Sequence, residues 1–264
     1  MVTHSPSQIL PAVDERLIMP DAGYEVLDGK VVAVSPAHEP HGSRHSKVSA
    51  LLEAYVAHGY NAASDMLTRA SAFDDLAPDA SVYPIDRDPS TGGRQLEELA
   101  FEVVSTETLA HAGRKAARLV ARGVRRVFAI DVERSRGLEW SARTEGWEIL
   151  AGDAVIDDPA LVLPLAIHDL VAAADADDAV ARALLAKRNA VLTATIDAAT
   201  AQAAAQAKAH AVITVLVARG LAPAPGQRAA ILAVRDPEAQ ERLLIAAATC
   251  TDVERLLADA ARAP

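Results

Sequence analysis

Two carboxylates and a lysine carry the chemistry this chain is equipped for. Pro78-Asp79 closes a turn and opens an apolar run, Ala80-Ser81-Val82-Tyr83. Further on, Phe101-Glu102-Val103-Val104-Ser105 closes a second such run, and Lys115 follows in an amphipathic helical pattern. An Asp and a Glu at strand ends can hold a hard divalent cation such as Mg²⁺, which takes carboxylate oxygens and keeps several waters. A water made acidic by that cation is a nucleophile, and a nearby Lys steadies developing negative charge. The chemistry indicated is hydrolysis of a phosphodiester.

Each residue also has a plainer reading. Asp79 alone is an ordinary turn residue after proline. Glu102 is harder to explain that way. It lies between Phe101 and Val103 in a run that reads as buried on both faces, and a buried carboxylate needs a partner or a metal. Lys115 is also readable as a solvated helix lysine, because Arg114, Arg118, Arg122 and Arg125 form a stripe beside it. That stripe, Arg118 and Arg122 above all, is the best candidate for a phosphate-tracking face. His41 and His45 are four apart, a metal-ligand spacing if a helix reaches back that far, but zinc wants more ligands than these two. Gly-rich phosphate loops, nucleophile elbows and Cys-His pairs are absent.

The elements that must position these groups read as an α/β sandwich. Residues 24–35 form a hairpin around Asp28-Gly29. Residues 36–42 read as a loop, and 43–58 as a helix with Val48, Leu51, Leu52, Tyr55 and Val56 on one side. Short strands over 61–66 and 68–73 precede Pro78-Asp79. A polar loop (86–94), a buried strand (96–104), a helix (106–122) stopped by Gly123, a second buried strand (124–132) and a hairpin (137–149) follow. Composition shifts at Asp175. Residues 175–219 are Ala-rich without Gly or Pro until Gly220 and predict one long helix with a loosely heptad apolar stripe, a coiled-coil-like pattern. Residues 226–264 predict a small helical tail. With Ala218-Arg219-Gly220-Leu221 it resembles the tails that follow some recombination-promoting and transposase-associated nuclease domains. Residues 1–14 read as a disordered N-terminus, 15–174 as the domain bearing the acidic pair.

Composition narrows the function classes. The single Cys250 rules out a disulfide framework and a thiolate zinc set, which fits a reducing cytoplasm. Residues 1–11 lack the apolar core of a signal peptide, and no apolar run reaches membrane-span length. The net charge of −10 argues against a general nucleic-acid binder. Residues 1–174 hold 26 acids against 16 bases and residues 175–264 hold 10 of each, so the excess lies wholly in the part carrying Asp79 and Glu102.

The order of the pieces is more specific than any one of them. Tyr24-Glu25-Val26-Leu27-Asp28-Gly29, Val34-Ser35-Pro36, His45, Pro78-Asp79, Glu102-Val103-Val104-Ser105, Lys115, Gly123-Val124 and Ala129-Ile130-Asp131 occur in series. Over residues 16–170 this resembles the bacterial Uma-type restriction endonuclease family of the PD-(D/E)xK nuclease superfamily. The resemblance implies a restriction-endonuclease-like mixed sheet flanked by helices, with an Ala-rich helical C-terminal extension appended here. It implies Mg²⁺-dependent endonuclease activity, with Mn²⁺ able to substitute, DNA as the favoured substrate and RNA the alternative. On this reading Asp79 and Glu102 hold the metal with the Val103 carbonyl. The superfamily's lysine usually lies two residues after the Glu, where Val104 stands, and this family takes it from the next helix, at Lys115. Glu25 matches the family's early Glu, which completes the metal site or orients the Lys; otherwise it is an exposed hairpin Glu facing Lys30. His45 becomes a phosphate or water contact, or else a surface His at a helix start. The family's acid one turn before the Lys is replaced by His111. A rival reading follows from that replacement and from the negative charge: a catalytically inactive nuclease fold working as an assembly or binding module through its helical extension. Self-association into a homodimer fits either reading.

Overall fold

A computed structural model describes residues 11–17, 23–33, 38–105, 108–172 and 176–262. The Val34-Ser35-Pro36 motif and residues 1–10 lie outside the described residues. In chain order the elements are β1 (Tyr24–Leu27), β2 (Lys30–Ala33), α1 (Glu39–Tyr55), β3 (Tyr60–Ser64), β4 (Thr68–Arg69), β5 (Asp75–Leu76), β6 (Ala80–Pro84), β7 (Leu99–Val104), α2 (Leu109–Arg122), β8 (Arg126–Asp131), β9 (Arg136–Ser141), β10 (Gly146–Ile149), β11 (Val155–Ile156), β12 (Leu165–Ala166) and α3 (Ile167–Val171). Five further helices complete the chain: α4 (Ala176–Ala186), α5 (Ala190–Ala218), α6 (Pro225–Ala233), α7 (Pro237–Ala247) and α8 (Val253–Arg262). None of the described helices is long and apolar enough to cross a membrane.

The expected mixed α/β architecture is present. A six-stranded sheet runs β10-β9-β8-β7-β6-β3, with β7 and β8 parallel and its other neighbours antiparallel. The parallel pair needs a crossover, and α2 supplies it. A smaller sheet, β2-β1-β5-β4, carries the N-terminal hairpin, whose Asp28 and Gly29 both have positive φ (53° and 73°). Those angles suit the two-residue turn that Asp-Gly favours.

Strand β7 is buried along its whole length and separates two cores. Phe101 and Val103 face α1 and pack with Leu51, Leu52, Tyr55, Phe128 and Ile130. Ala100 and Val104 face α2, whose Ala112, Ala116 and Leu119 pack there. Alternation along the strand therefore turns Glu102 toward α2.

Four sequence expectations are corrected. Helix α1 starts at Glu39, inside the predicted 36–42 loop, because Pro40 occupies a first-turn position where its missing N–H costs nothing. The strand expected over 68–73 is confined to β4, and the next strand, β5, starts beyond that range at Asp75. The N-terminal segment expected to be disordered is tied down from residue 11 onward: Val13 is buried, its carbonyl accepts from Arg69 N–H, and Asp14 Oδ2 accepts from Arg94 N–H. The single helix expected over 175–219 is two, α4 and α5. Arg188 adopts a positive φ of 53°, and the Asn189 side chain caps α5 by accepting from the N–H groups of Val191 and Leu192. Local capping outweighs the helix propensity of the flanking alanines.

The chain divides into two units, Met1–Lys187 and Arg188–Pro264. Helix α4 belongs to the first, with Ala179 and Ala183 in the α1 core. In the second, the C-terminal half of α5 packs against α6 and α7, and α8 against those two, around a core of Val212, Leu216, Ile231, Leu243 and Leu256.

Candidate metal and active site

The β6–β7 register pairs Ala80 with Phe101, so one step further sets Asp79 opposite Glu102. The two carboxylates thus meet at the point where β6 begins. Pro78 and the following strand fix the Asp79 backbone, and its Oδ2 accepts from the Val103 N–H at 2.5 Å. Asp79 remains partly open to solvent, while Glu102 is 1% and Lys115 4% exposed.

Lys115 comes from α2, on the same inward stripe as Ala112, Ala116 and Leu119. The N-cap hydroxyl of Thr108 starts that helix, and Gly123, at φ 120°, ends it. The lysine Nζ donates to Glu102 Oε2 at 2.9 Å and to the Ala77 carbonyl at 3.2 Å, and it lies 3.0 Å from Glu25 Oε1. Glu25 Oε1 also accepts from the Ala77 N–H at 2.7 Å. Both polar groups flanking the Pro78-Asp79 turn are therefore held, one by the lysine and one by a glutamate from β1. Glu25 is a buried member of this cluster and pairs across the hairpin with Val32, not Lys30.

The electrostatics are lopsided: Glu25, Asp79 and Glu102 surround one lysine. Burial works against the Lys115 charge, but Glu102, Glu25 and Asp79 outweigh it and hold the pKa well above the usual lysine value, so the ammonium keeps its proton. Burial pushes Glu102 well above its ordinary value; Lys115 pulls against this, and Asp79 and Glu25 add to it. Burial also acts on Asp79, but His41, Lys115 and the Val103 N–H hold its pKa below the ordinary value. Glu102 Oε1 is buried with no hydrogen-bond partner. A buried carboxylate oxygen without a donor is costly unless something positive occupies the space before it.

A family profile described as "Uma2: Putative restriction endonuclease" matches residues 13–167. The chain belongs to the Uma2 family. The family assignment covers the six-stranded sheet, α1, α2 and every residue of the Asp79, Glu102 and Lys115 cluster. No curated protein matches the chain. A solved structure described as a putative nuclease belonging to DUF820 from Anabaena variabilis is similar at 17% identity, with a TM-score of 0.49, over 60% of this chain and 94% of that one.

Of the other sequence candidates, His45 stands beside Asp79 and the two arginines are bound elsewhere. His45 is half-buried on α1, with Nε2 against the Asp79 carbonyl. Arg118 and Arg122 point away from the acidic pair. Arg118 Nη2 lies 2.5 Å from Asp28 Oδ1 and its Nε 3.6 Å from Asp74 Oδ2. Arg122 donates to the Pro11 carbonyl, and Arg125 is bound by Glu98 and Asp158. Among the described residues the stripe's charges are engaged within the domain, and Asp131 and Glu133 are not the partners; Glu107 lies outside the described residues. Sequence reasoning missed His41 as a neighbour of Asp79, at 3.6 Å. The available signal was its spacing from His45, which alone supplies too few ligands for zinc.

Proposed function

We propose that the chain is a divalent-metal-dependent phosphodiesterase acting on nucleic acid, with DNA as the substrate and Mg²⁺ or Mn²⁺ as the cofactor. The observation that carries this is the unpartnered, buried Oε1 of Glu102 beside the Asp79 carboxylate. A cluster with more carboxylates than cations, one oxygen of which lacks any donor, fits a hard cation. Asp79 and Glu102 would hold it. When bound, such a cation lowers the pKa of a ligated water and offsets phosphate charge.

The chain's own residues do the rest. Lys115 takes Glu102 Oε2, which leaves Oε1 as the ligand atom. Because Lys115 keeps its proton, it acts as fixed positive charge and not as a base. Glu25 holds Lys115 in place and, through Ala77, sets the turn that presents Asp79. The family's acid before the lysine, replaced here by His111, is dispensable on this reading, since Glu25 and Glu102 already hold the ammonium. The test is incubation of the purified chain with plasmid DNA, and separately RNA, in Mg²⁺ or Mn²⁺. Wild type should cleave, and Asp79→Ala should reduce the rate about 100-fold or more, by analogy with loss of one transition-state-stabilising group. Cleavage unchanged in Asp79→Ala would reject the site.

A further inference from the structure

Asp79 divides its carboxylate. Oδ2 is taken by the Val103 N–H, and Oδ1 faces the start of α1, where His41 Nε2 stands 3.6 Å away. His45 lies one turn further along the same helix, its ring centroid 6.1 Å from that of His41. Its Nε2 touches the Asp79 carbonyl and is 3.8 Å from Asp65 Oδ1. One donor atom from each of His41, His45 and Asp79 lies within 4.8 Å of the others. Ligand atoms about 2.1 Å from a shared cation are separated by about 3–4 Å, so the cluster closes on a cation with small side-chain rotations.

We propose that His41, His45 and Asp79 Oδ1 form a site for a borderline first-row cation of the Mn²⁺ or Zn²⁺ class, with Asp65 as a further donor at its solvent edge. The proposal builds on the nuclease reading, in which Asp79 is already a ligand; it adds a second, nitrogen-containing site on that aspartate's other oxygen. Imidazole nitrogen favours first-row transition cations, whereas Mg²⁺ prefers oxygen throughout. The positive end of the α1 dipole opposes a cation, so the Asp79 carboxylate is indispensable to the site. His45 gives up its contact with the Asp79 carbonyl when it takes the cation. The chain should therefore bind Mn²⁺ in a form that excess Mg²⁺ displaces poorly.

The test is pulsed electron paramagnetic resonance on the full chain loaded with Mn²⁺, which reads nitrogen directly bound to the ion. Wild type and Glu102→Gln should both show ¹⁴N modulation from imidazole, and a His41→Ala/His45→Ala double variant should lose it and bind Mn²⁺ at least tenfold more weakly. Wild-type Mn²⁺ bound without ¹⁴N modulation, or no Mn²⁺ bound by wild type, overturns the proposal whether or not any variant folds. Modulation that persists in the folded double variant overturns it too. The nuclease reading fails separately. Modulation without cleavage in any cation leaves this site standing alone, and Glu102-dependent cleavage without modulation removes the histidine site alone.

Discussion

Lys115 is the residue on which the cluster's balance turns. Among the described residues it is the only ammonium beside Glu25, Asp79 and Glu102, and it is buried. Removing it leaves two buried carboxylates without their cation. Lys115→Met should therefore destabilise the metal-free protein by roughly 3–5 kcal/mol in urea unfolding. Adding Glu102→Gln should recover part of that loss, because the two sites are coupled. A Lys115→Met variant as stable as wild type would mean the carboxylates are better solvated than their burial indicates. At this scale the sequence was partly legible. Asp79, Glu102 and Lys115 were readable from residue type and order. The joint grip of Glu25 and Lys115 on Ala77 was not, because it joins a hairpin, a turn and a helix far apart in the chain. The partners of Arg118 and Arg122 were hidden for the same reason: helical spacing shows which residues share a face, but not that Asp28, Asp74 and the Pro11 carbonyl lie against it.

Elements set where those residues stand, and α2 is placed by contact on both sides. Its buried Gly113 abuts the two tryptophans, so that an added Cβ would lie 2.9 Å from Trp140 Cζ3 and 3.2 Å from Trp147 Nε1. Gly113→Ala should cost about 1–3 kcal/mol by overpacking and, by shifting α2, should also weaken the Lys115 contacts. A melting temperature equal to wild type would show that the tryptophans yield freely. A second anchor is acid-sensitive. Asp158 accepts from Arg125 at 2.5 Å and 2.9 Å and from the Ala160 N–H at 2.9 Å. Burial opposes its ionisation, but these bonds outweigh it and lower the pKa. A depressed carboxylate adds stability above its unfolded pKa, and that stability is lost as pH falls through the folded value. Asp158→Asn should thus be less stable at neutral pH and lose less on acidification below about pH 4. Parallel acid-dependence curves for the two proteins would contradict this. Periodicity and Gly123 made α2 and the strands legible. The start of α1 was missed because proline was read as a loop residue where it opens the helix.

Over the whole molecule, the two units each have a core of their own. Truncation after Lys187 should leave a folded first unit, whereas truncation at Ala174 would remove Ala179 and Ala183 from its core. The N-terminal half of α5 leaves Val191 73% and Ile196 50% exposed, and isolated Ala-rich helices are marginal in water. We expect the full chain to self-associate through this stretch, and light scattering beside the 1–187 truncation checks it. A monomeric full chain sinks the idea. The composition shift at Asp175 precedes the division after Lys187, and the break at Arg188-Asn189 was hidden because it depends on one backbone angle and one side-chain cap.

On the nuclease reading, the unpartnered Oε1 of Glu102 is a metal ligand. The most direct measurement is Mg²⁺-dependent cleavage of supercoiled plasmid by wild type and by Glu102→Gln, which keeps the side chain's shape and its Lys115 contact while removing the charge. Wild type should give nicked and linear products, none with chelator, and Glu102→Gln a rate at least about 100-fold lower. Equal cleavage by the two proteins, or chelator-resistant cleavage by wild type, would contradict it.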